Sequence, residues 1–421
     1  MSPSIIRSIR QTLHRIIEPP VSLPRERQYF SNRALMNLTA PILVESLLAL
    51  LVGIADTIMV SYAGEAAVSG VSLVNQLNNV FIYLFGALAS GGAVVASQYV
   101  GRKDRENGIA AASQLMMLTA FISLLLMGLC ILLHRQLLHL LFSRVAPDVM
   151  AASATYLVLS AWSFPAAALY SSSAALFRSM GKTRAVMNTS IVMNVINVVG
   201  NYIGIFVLHA GVAGVAVPSL ISRMVAALIM VMLLMNPKHL LCARVRETLC
   251  WNGEMIRRIL KLAVPKSIEN GLFQLSKVSV SSILALFGTA QIAAYGVAQS
   301  FWSLSALFCI AMGSAFLTVV GQSMGAGDIP AARYYMQKLW RMTYLGSVLW
   351  NLVTLFLIQP ILPLFSLSAE TRHMVVILVL MHNVGNAVLC ATAFALSDGL
   401  RAAGDARYTM YATLFGTVVC R

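Results

Sequence analysis

"LTAPILVESLLALLVGIADTIMV", residues 38–60, has the composition of a membrane-crossing helix apart from two side chains. About 20 apolar residues are enough for a helix to cross the roughly 30 Å of hydrocarbon in a bilayer. The two exceptions are Glu45 and Asp56. A carboxylate at the bilayer centre costs roughly 2.5–3.5 kcal/mol on insertion scales, so two in one span need a physical reason.

The rest of the chain repeats the pattern. Of 421 residues, 58% are hydrophobic and 11% charged, against about 25% charged in soluble domains. Apolar runs place spans at about 36–61, 68–99, 109–133, 150–177, 186–208, 212–235, 262–287, 291–321, 334–358, 373–399 and from 408 onward. A β-barrel would instead show alternation in segments of about ten residues, and the sequence has none. The expected fold class is all-α, a polytopic membrane protein.

The net charge of +15 could mark a nucleic-acid binder, but the charges are sorted by loop. The N-terminal tail and every second loop hold 21 Lys and Arg, whereas the intervening loops hold only Arg135, Arg144 and Arg372. By the positive-inside rule this puts the N-terminus and the alternate loops in the cytoplasm of a multi-pass cell-membrane protein. No nucleic-acid partner is expected. The six cysteines form no CxxC pair and no Cys/His cluster, which predicts neither disulfides nor a metal site. No cofactor is implied.

Residues 1–33 form a basic N-terminal segment. Ile5, Ile6, Ile9, Leu13, Ile16 and Ile17 share one helical face, with Arg7, Arg10, His14 and Arg15 around the rest. A short helix on the anionic cytoplasmic leaflet fits this pattern, with membrane lipid as its partner; a partly disordered basic tail fits as well. Pro19, Pro20 and Pro24 end any helix here.

An offset of 224 residues aligns the two halves. "APILVE" (40–45) meets "VPKSIE" (264–269), and "ALASGGAVVASQYVGRKD" (87–104) meets "AMGSAFLTVVGQSMGAGD" (311–328). At an offset of 223, "FRSMGKTR" (177–184) meets "LRAAGDAR" (400–407). Six spans per half insert in the same orientation, so the repeats are parallel, with the substrate path expected between them. The domains predicted are an N-terminal lobe over 34–235, a cytoplasmic linker over 236–261 and a C-terminal lobe over 262–421. Twelve spans are expected and about eleven are present, because the counterpart of 199–235 is missing. A truncated form is the expectation, with a natural eleven-span variant as the alternative.

The repeat separates the two acids. Glu45 has a counterpart in Glu269, which suggests a scaffold role near a hydrated helix end. Asp56 aligns with Val280, so this aspartate belongs to the first lobe alone and is the better functional candidate. In the fifth span Asn194, Asn197 and Asn201 recur at three and four residues and therefore line one face. Such amides either glue helices together or, beside an aspartate, ligate Na⁺ or orient a proton relay.

"PILVESLLALLVGIADTIMVSYAG", "GRKDRENG", "FRSMGKTR" and "NVINVVGNYIGIFVLHAGVAGVAVPSLISR" resemble the signature regions of multidrug and toxic compound extrusion (MATE) transporters. The resemblance runs from Leu35 onward. It implies two six-helix lobes and a secondary antiporter, not an enzyme, that exports cationic or amphipathic drug-like molecules in exchange for Na⁺ or H⁺, as a monomer. The family's first-span acid falls on Asp56 and its cation-site asparagine on Asn197. A prokaryotic protein nearer the DinF-like than the NorM-like branch is expected. Two positions depart from those branches. Asn201 stands where the DinF-like branch has a second acid, and Gln274 where the NorM-like branch has a seventh-span glutamate. The resemblance therefore carries one acid into the first-lobe site and none into a second-lobe site.

Lys277 and Arg223 lie deep in the seventh and sixth spans. Each must pair, snorkel or serve a function, and Glu269, eight residues from Lys277, is too far along the helix for direct contact. These two cations keep open a lipid-linked saccharide flippase of the same superfamily. An intramembrane enzyme is the remaining class, but no nucleophile–base pair or metal-ligand cluster supports it.

Overall fold

The computed structural model describes residues 17–20, 23–142, 146–284, 287, 289–362 and 369–418. The helices are α1 (Asn32–Ser61), α2 (Glu65–Arg102), α3 (Arg105–Phe142), α4 (Pro147–Trp162), α5 (Phe164–Ser179), α6 (Thr183–Tyr202) and α7 (Ala213–Leu234). They continue as α8 (Val245–Leu249), α9 (Gly253–Leu284), α10 (Thr289–Gly325), α11 (Ile329–Ile361), α12 (Ala369–Cys390), α13 (Leu396–Ala402) and α14 (Ala406–Val418). A π-helical turn, Ile203–Val207, closes α6, and another, Ala391–Ala395, joins α12 to α13. The described residues contain no strand. The amphipathic pattern read over residues 5–16 lies outside them.

Turn chemistry sets the helix boundaries, and it recurs at the repeat offset. Lys103 (φ 58°) and its counterpart Gly327 (φ 74°) both take the left-handed conformation. The next residue is an aspartate each time, and it caps the following helix. Asp104 Oδ1 accepts from Asn107 N at 3.2 Å, and Asp328 Oδ1 from Ala331 N at 3.0 Å. An N-cap oxygen of this kind satisfies a backbone donor that the helix itself leaves open. Gly181 (φ 75°) and Gly404 (φ 103°) form a second left-handed pair at an offset of 223.

Among the described residues, eight helices are long and apolar enough to cross a membrane, and the α4–α5 pair, bent by 46°, makes a ninth candidate. Two of the expected spans are not among these nine. The span read over 262–287 lies in α9, which starts at Gly253 and includes Glu254, Arg257, Arg258, Lys261, Lys266, Glu269 and Lys277. Asn252 starts that helix early by capping Met255 N at 3.1 Å. The last expected span is described for only 13 residues in α14, about 20 Å of helix. The span read over 150–177 is broken at Ser163. Pro165 stands at the start of α5, where it has no N–H to continue the ladder of α4.

The described chain divides into two compact units, Ala40–Gly271 and Met1–Thr39 with Leu272–Arg421. In the first, α2 packs along α5, α6 along α7, and α3 against both α2 and α5. Its core joins Val60, Val71, Val74, Leu138, Leu157, Ile205 and Val215. The linker is folded rather than loose. Gln114 Nε2 on α3 donates to the carbonyls of Glu247 (2.8 Å) and Cys250 (2.6 Å), and its Oε1 accepts from Asn252 N at 3.0 Å.

In the second unit α10 packs against α11, α12 and α13. Here the end of the N-terminal segment is strapped to α11. Lys338 Nζ donates to Glu18 Oε1 at 2.6 Å, Tyr334 donates to Glu18 Oε2, and Arg341 donates to the Glu18 carbonyl at 2.6 Å. Leu23 and Leu35 enter the core beside Phe316, Tyr335 and Leu339. Burial raises the Glu18 carboxyl, but the hydrogen bonds from Lys338 and Tyr334 and the lysine's charge outweigh it and hold the group below its ordinary value.

Candidate functional site

The site begins with a close helix crossing. A Cβ placed on Gly204 would stand 2.1 Å from the Gly214 carbonyl oxygen, and one on Gly200 would stand 2.6 Å from Pro218 Cβ. Only the absence of side chains lets α6 and α7 come this near, as in the small-xxx-small packing of membrane helices. The crossing carries Asn197 and Asn201 on α6 toward Ser219 on α7.

These side chains converge on Asp56, five residues before the end of α1. Asn201 Nδ2 donates to Asp56 Oδ1 at 2.7 Å. The Asn197 amide is best oriented with its nitrogen toward the carboxylate. It then donates to Oδ1 at 2.9 Å and Oδ2 at 3.2 Å, while its own oxygen accepts from Ser219 Oγ at 2.9 Å. The opposite orientation would set an amide oxygen against an ionised carboxylate. Asn197 is 6% exposed and Asn201 fully buried. Asn201 Oδ1 is left without a hydrogen-bond partner. Two amides thus meet at one carboxylate, with Ser219 behind Asn197, and the four side chains come from three helices.

Arg223 on α7 joins from one side. Its Nη1 donates to Ser163 Oγ at 2.8 Å, the buried residue at the α4–α5 break. Its positive charge acts on Asp56 across space, without a direct ion pair among the described residues.

Glu45 occupies a different environment from the one its sequence position suggests. It lies thirteen residues into α1 rather than near a helix end. An arginine neutralises it, with no need of hydration: Arg178 Nη2 on α5 donates to Glu45 Oε1 at 2.6 Å, and Tyr170 OH lies at 3.5 Å. Eleven residues separate Glu45 from Asp56, about 16 Å along the helix. The two acids share a face and belong to separate clusters.

The other candidates are dispersed. Asn194 lies on the predicted buried face at 8% exposure, yet it lines an apolar recess with Leu48, Val52 and Ile191. Glu269 pairs with Lys266 within α9 at 3.0 Å. Gln274 keeps a buried, unpartnered Oε1. Lys277 Nζ lies over the rings of Phe273 (4.9 Å) and Trp302 (4.4 Å).

Ser219, Ser163, Tyr170 and Arg178 are the site residues that sequence reading missed. For Arg178 the signal was present, since the offset that pairs "FRSMGKTR" with "LRAAGDAR" matches it to Arg401. A base duplicated inside an apolar span points to a paired arginine, and Arg401 is itself paired, though with Asp398 rather than with Glu45's counterpart Glu269, which lies against Lys266. The serines carry no comparable mark, because membrane helices use serine throughout.

The MatE family model matches residues 41–203 and again 265–421. The two matches begin 224 residues apart, the offset at which the halves align. A Bacillus subtilis relative described as "Uncharacterized transporter YisQ" is 27% identical over 388 residues, 90% of this chain and 83% of that protein. A Thermotoga maritima relative described as "Probable multidrug resistance protein NorM" is 25% identical, over 82% of this chain and 74% of its own. Among solved structures, one described as an outward-facing multidrug resistance MATE family transporter superposes with a TM-score of 0.84. It is 18% identical and covers 92% of this chain and 86% of its own.

Proposed function

Because the chain belongs to the MatE family of multi-pass membrane transporters, which are not enzymes, we propose that it exports drug-like small molecules by antiport. Multidrug resistance relatives support the substrate class. The substrates are cationic or amphipathic, and the driving force is a gradient of Na⁺ or H⁺. The N-terminus and the linker face the cytoplasm, as the sorting of Lys and Arg requires, and the protein works as a monomer in the cell membrane.

One observation carries the coupling role: Asp56 is held by Asn197 and Asn201, with Ser219 bonded to Asn197 behind them, rather than paired with a base. A carboxylate withdrawn from water gains by taking up a cation. A proton would neutralise it directly. Na⁺, a hard cation that takes oxygen ligands, would find the carboxylate, the Ser219 hydroxyl and the unpartnered Asn201 Oδ1. Either ion replaces amide donors now pointing at Asp56, so loading changes how α1 is held against α6 and α7. Substrate and ion affinities are then coupled, and by linkage the effect is reciprocal.

Ethidium efflux from cells tests the proposal. Expression should speed efflux, and collapsing the coupling gradient should remove that increment. Efflux indistinguishable from cells without the protein, under both Na⁺ and pH gradients, would exclude ion-driven export of this substrate class.

A further inference from the structure

The second unit contains a group of side chains that the coupling site does not use. Phe273 on α9, Trp302 on α10 and Phe394 on the π-helical turn Ala391–Ala395 form a triangle of rings. Their centroids are 5.9 Å apart for Phe273–Trp302, 6.1 Å for Phe273–Phe394 and 6.4 Å for Trp302–Phe394. The Phe273–Phe394 and Trp302–Phe394 contacts are edge to face, and the Phe273–Trp302 pair is tilted by 38°, so the three rings meet as a cluster rather than a parallel stack. None of the three is fully buried. Phe394 is aimed by the π turn, whose extra residue rotates the succeeding helix by roughly a quarter to a third of a turn relative to an unbroken one.

An ammonium already lies over two of these rings. Lys277 Nζ stands 4.4 Å from the Trp302 centroid and 4.9 Å from that of Phe273. Both distances are inside the roughly 6 Å range in which a ring quadrupole attracts a cation. Several aromatic faces turned on one cation are how proteins bind quaternary ammonium groups. The lysine brings its charge on a flexible four-carbon stem, so it can leave the rings without moving α9. Trp302 sits on a different helix from Lys277, so its ring meets the ammonium through tertiary packing and not through helix spacing, and Phe394 joins the two rings from a third element.

We propose that Phe273, Trp302 and Phe394 form a binding subsite for the cationic head of an organic substrate, and that Lys277 is its tethered competitor. Two positive charges cannot share the triangle, so a substrate ammonium enters as the lysine swings out, and the lysine's return expels it. The rings have no donor aimed at an oxyanion and prefer a diffuse, weakly hydrated cation to Na⁺. Benzyltrimethylammonium has the matching chemistry. This inference rests on the export of cationic compounds proposed above, and it assigns them a place in the second unit, apart from Asp56.

Binding to the purified full-length protein in detergent, measured by equilibrium dialysis without any ion gradient, tests it. Lys277→Met keeps the stem and removes the charge. It should tighten benzyltrimethylammonium binding at least about tenfold, and Lys277→Gln should do the same should the methionine variant fail to fold. Lys277→Arg, still a tethered cation, should bind as weakly as the parent. Adding Trp302→Leu to Lys277→Met should abolish the gain, and benzenesulfonate should show none. Unchanged or weaker binding in both neutral variants, or a gain that survives Trp302→Leu, overturns the proposal. So does loss of benzenesulfonate binding in Lys277→Met, which would make the lysine an anion receptor. Asp56→Asn should leave these affinities in place, so a protein that fails to export can still possess the subsite.

Discussion

Asp56 and Glu45 lie on the same face of α1, and their partners give them different chemistry. Glu45 is matched with Arg178 at 2.6 Å, so its charge is met by a base at contact distance. Asp56 is held by two amides, which satisfy its lone pairs but leave its charge uncompensated at contact distance. Removing one member of a buried ion pair strands the other, at a cost on the order of 3 kcal/mol. Glu45→Gln is therefore expected to lower the melting temperature in detergent and the yield, and Glu45→Gln combined with Arg178→Met should recover part of the loss. An unchanged melting temperature in the single variant would show that the pair does not support the fold. The residues picked out for costly, unduplicated chemistry, Asp56, Asn197 and Asn201, lie in contact with one another. Asn194 lies on the same stripe but lines a separate recess, because only the crossing of a neighbouring helix decides which amides of one face reach the acid. Ser219 was invisible for the same reason from the other side, since its role depends on α7 touching α6 at glycines.

Two devices at the level of elements hold that geometry. The Gly204–Gly214 contact fixes the distance between α6 and α7, and a single added methyl would collide with a carbonyl at 2.1 Å. Gly204→Ala should separate the helices and lower the melting temperature, as overpacking by one methyl typically costs about 1–3 kcal/mol. Scintillation measurement of ²²Na⁺ binding or the pH dependence of efflux should shift with it; stability and coupling both at parental values would place the crossing outside the site's support. The strap onto α11 is the second device. The Glu18 carboxyl is held below its ordinary value by Lys338 and Tyr334, so the ionised form is the one that docks. Its contribution is complete above the unfolded carboxylate range, about pH 4–5, and is lost as pH falls through the lower folded value. Leu23 is 7% exposed. A cysteine at this position, in a cysteine-free background, should be protected from an acid-tolerant thiol reagent at pH 6 and become reactive near pH 3. Glu18→Gln should expose it at pH 6 already. Protection unaffected by that substitution would mean that Leu23 packing alone holds the strap. Of these elements, the capping aspartates were legible as repeated letters. The break at Ser163 was not, because a proline in the middle of an apolar run is compatible with either a kink or a clean helix start.

At the scale of the whole molecule, hydropathy and the duplicated motifs were enough to predict a helical, multi-pass chain, and the family match to both halves agrees. Length and composition do less well where a helix combines charge with apolar residues, as α9 does. The orientation rests on the 21 Lys and Arg on one set of loops. Single cysteines at Glu65 and Lys182 should label from opposite sides of the membrane, and labelling from one side would overturn the span assignment. Coupling is tested most directly by Asp56→Asn in proteoliposomes, where shape is kept and the ionisable group is lost. With an imposed Na⁺ or pH gradient, the parent should drive ethidium against its concentration gradient. Asp56→Asn, at equal protein content, should abolish this uphill movement while still equilibrating ethidium down its gradient. Uphill transport by Asp56→Asn at the parental rate would contradict the assignment and move the coupling site elsewhere in the molecule.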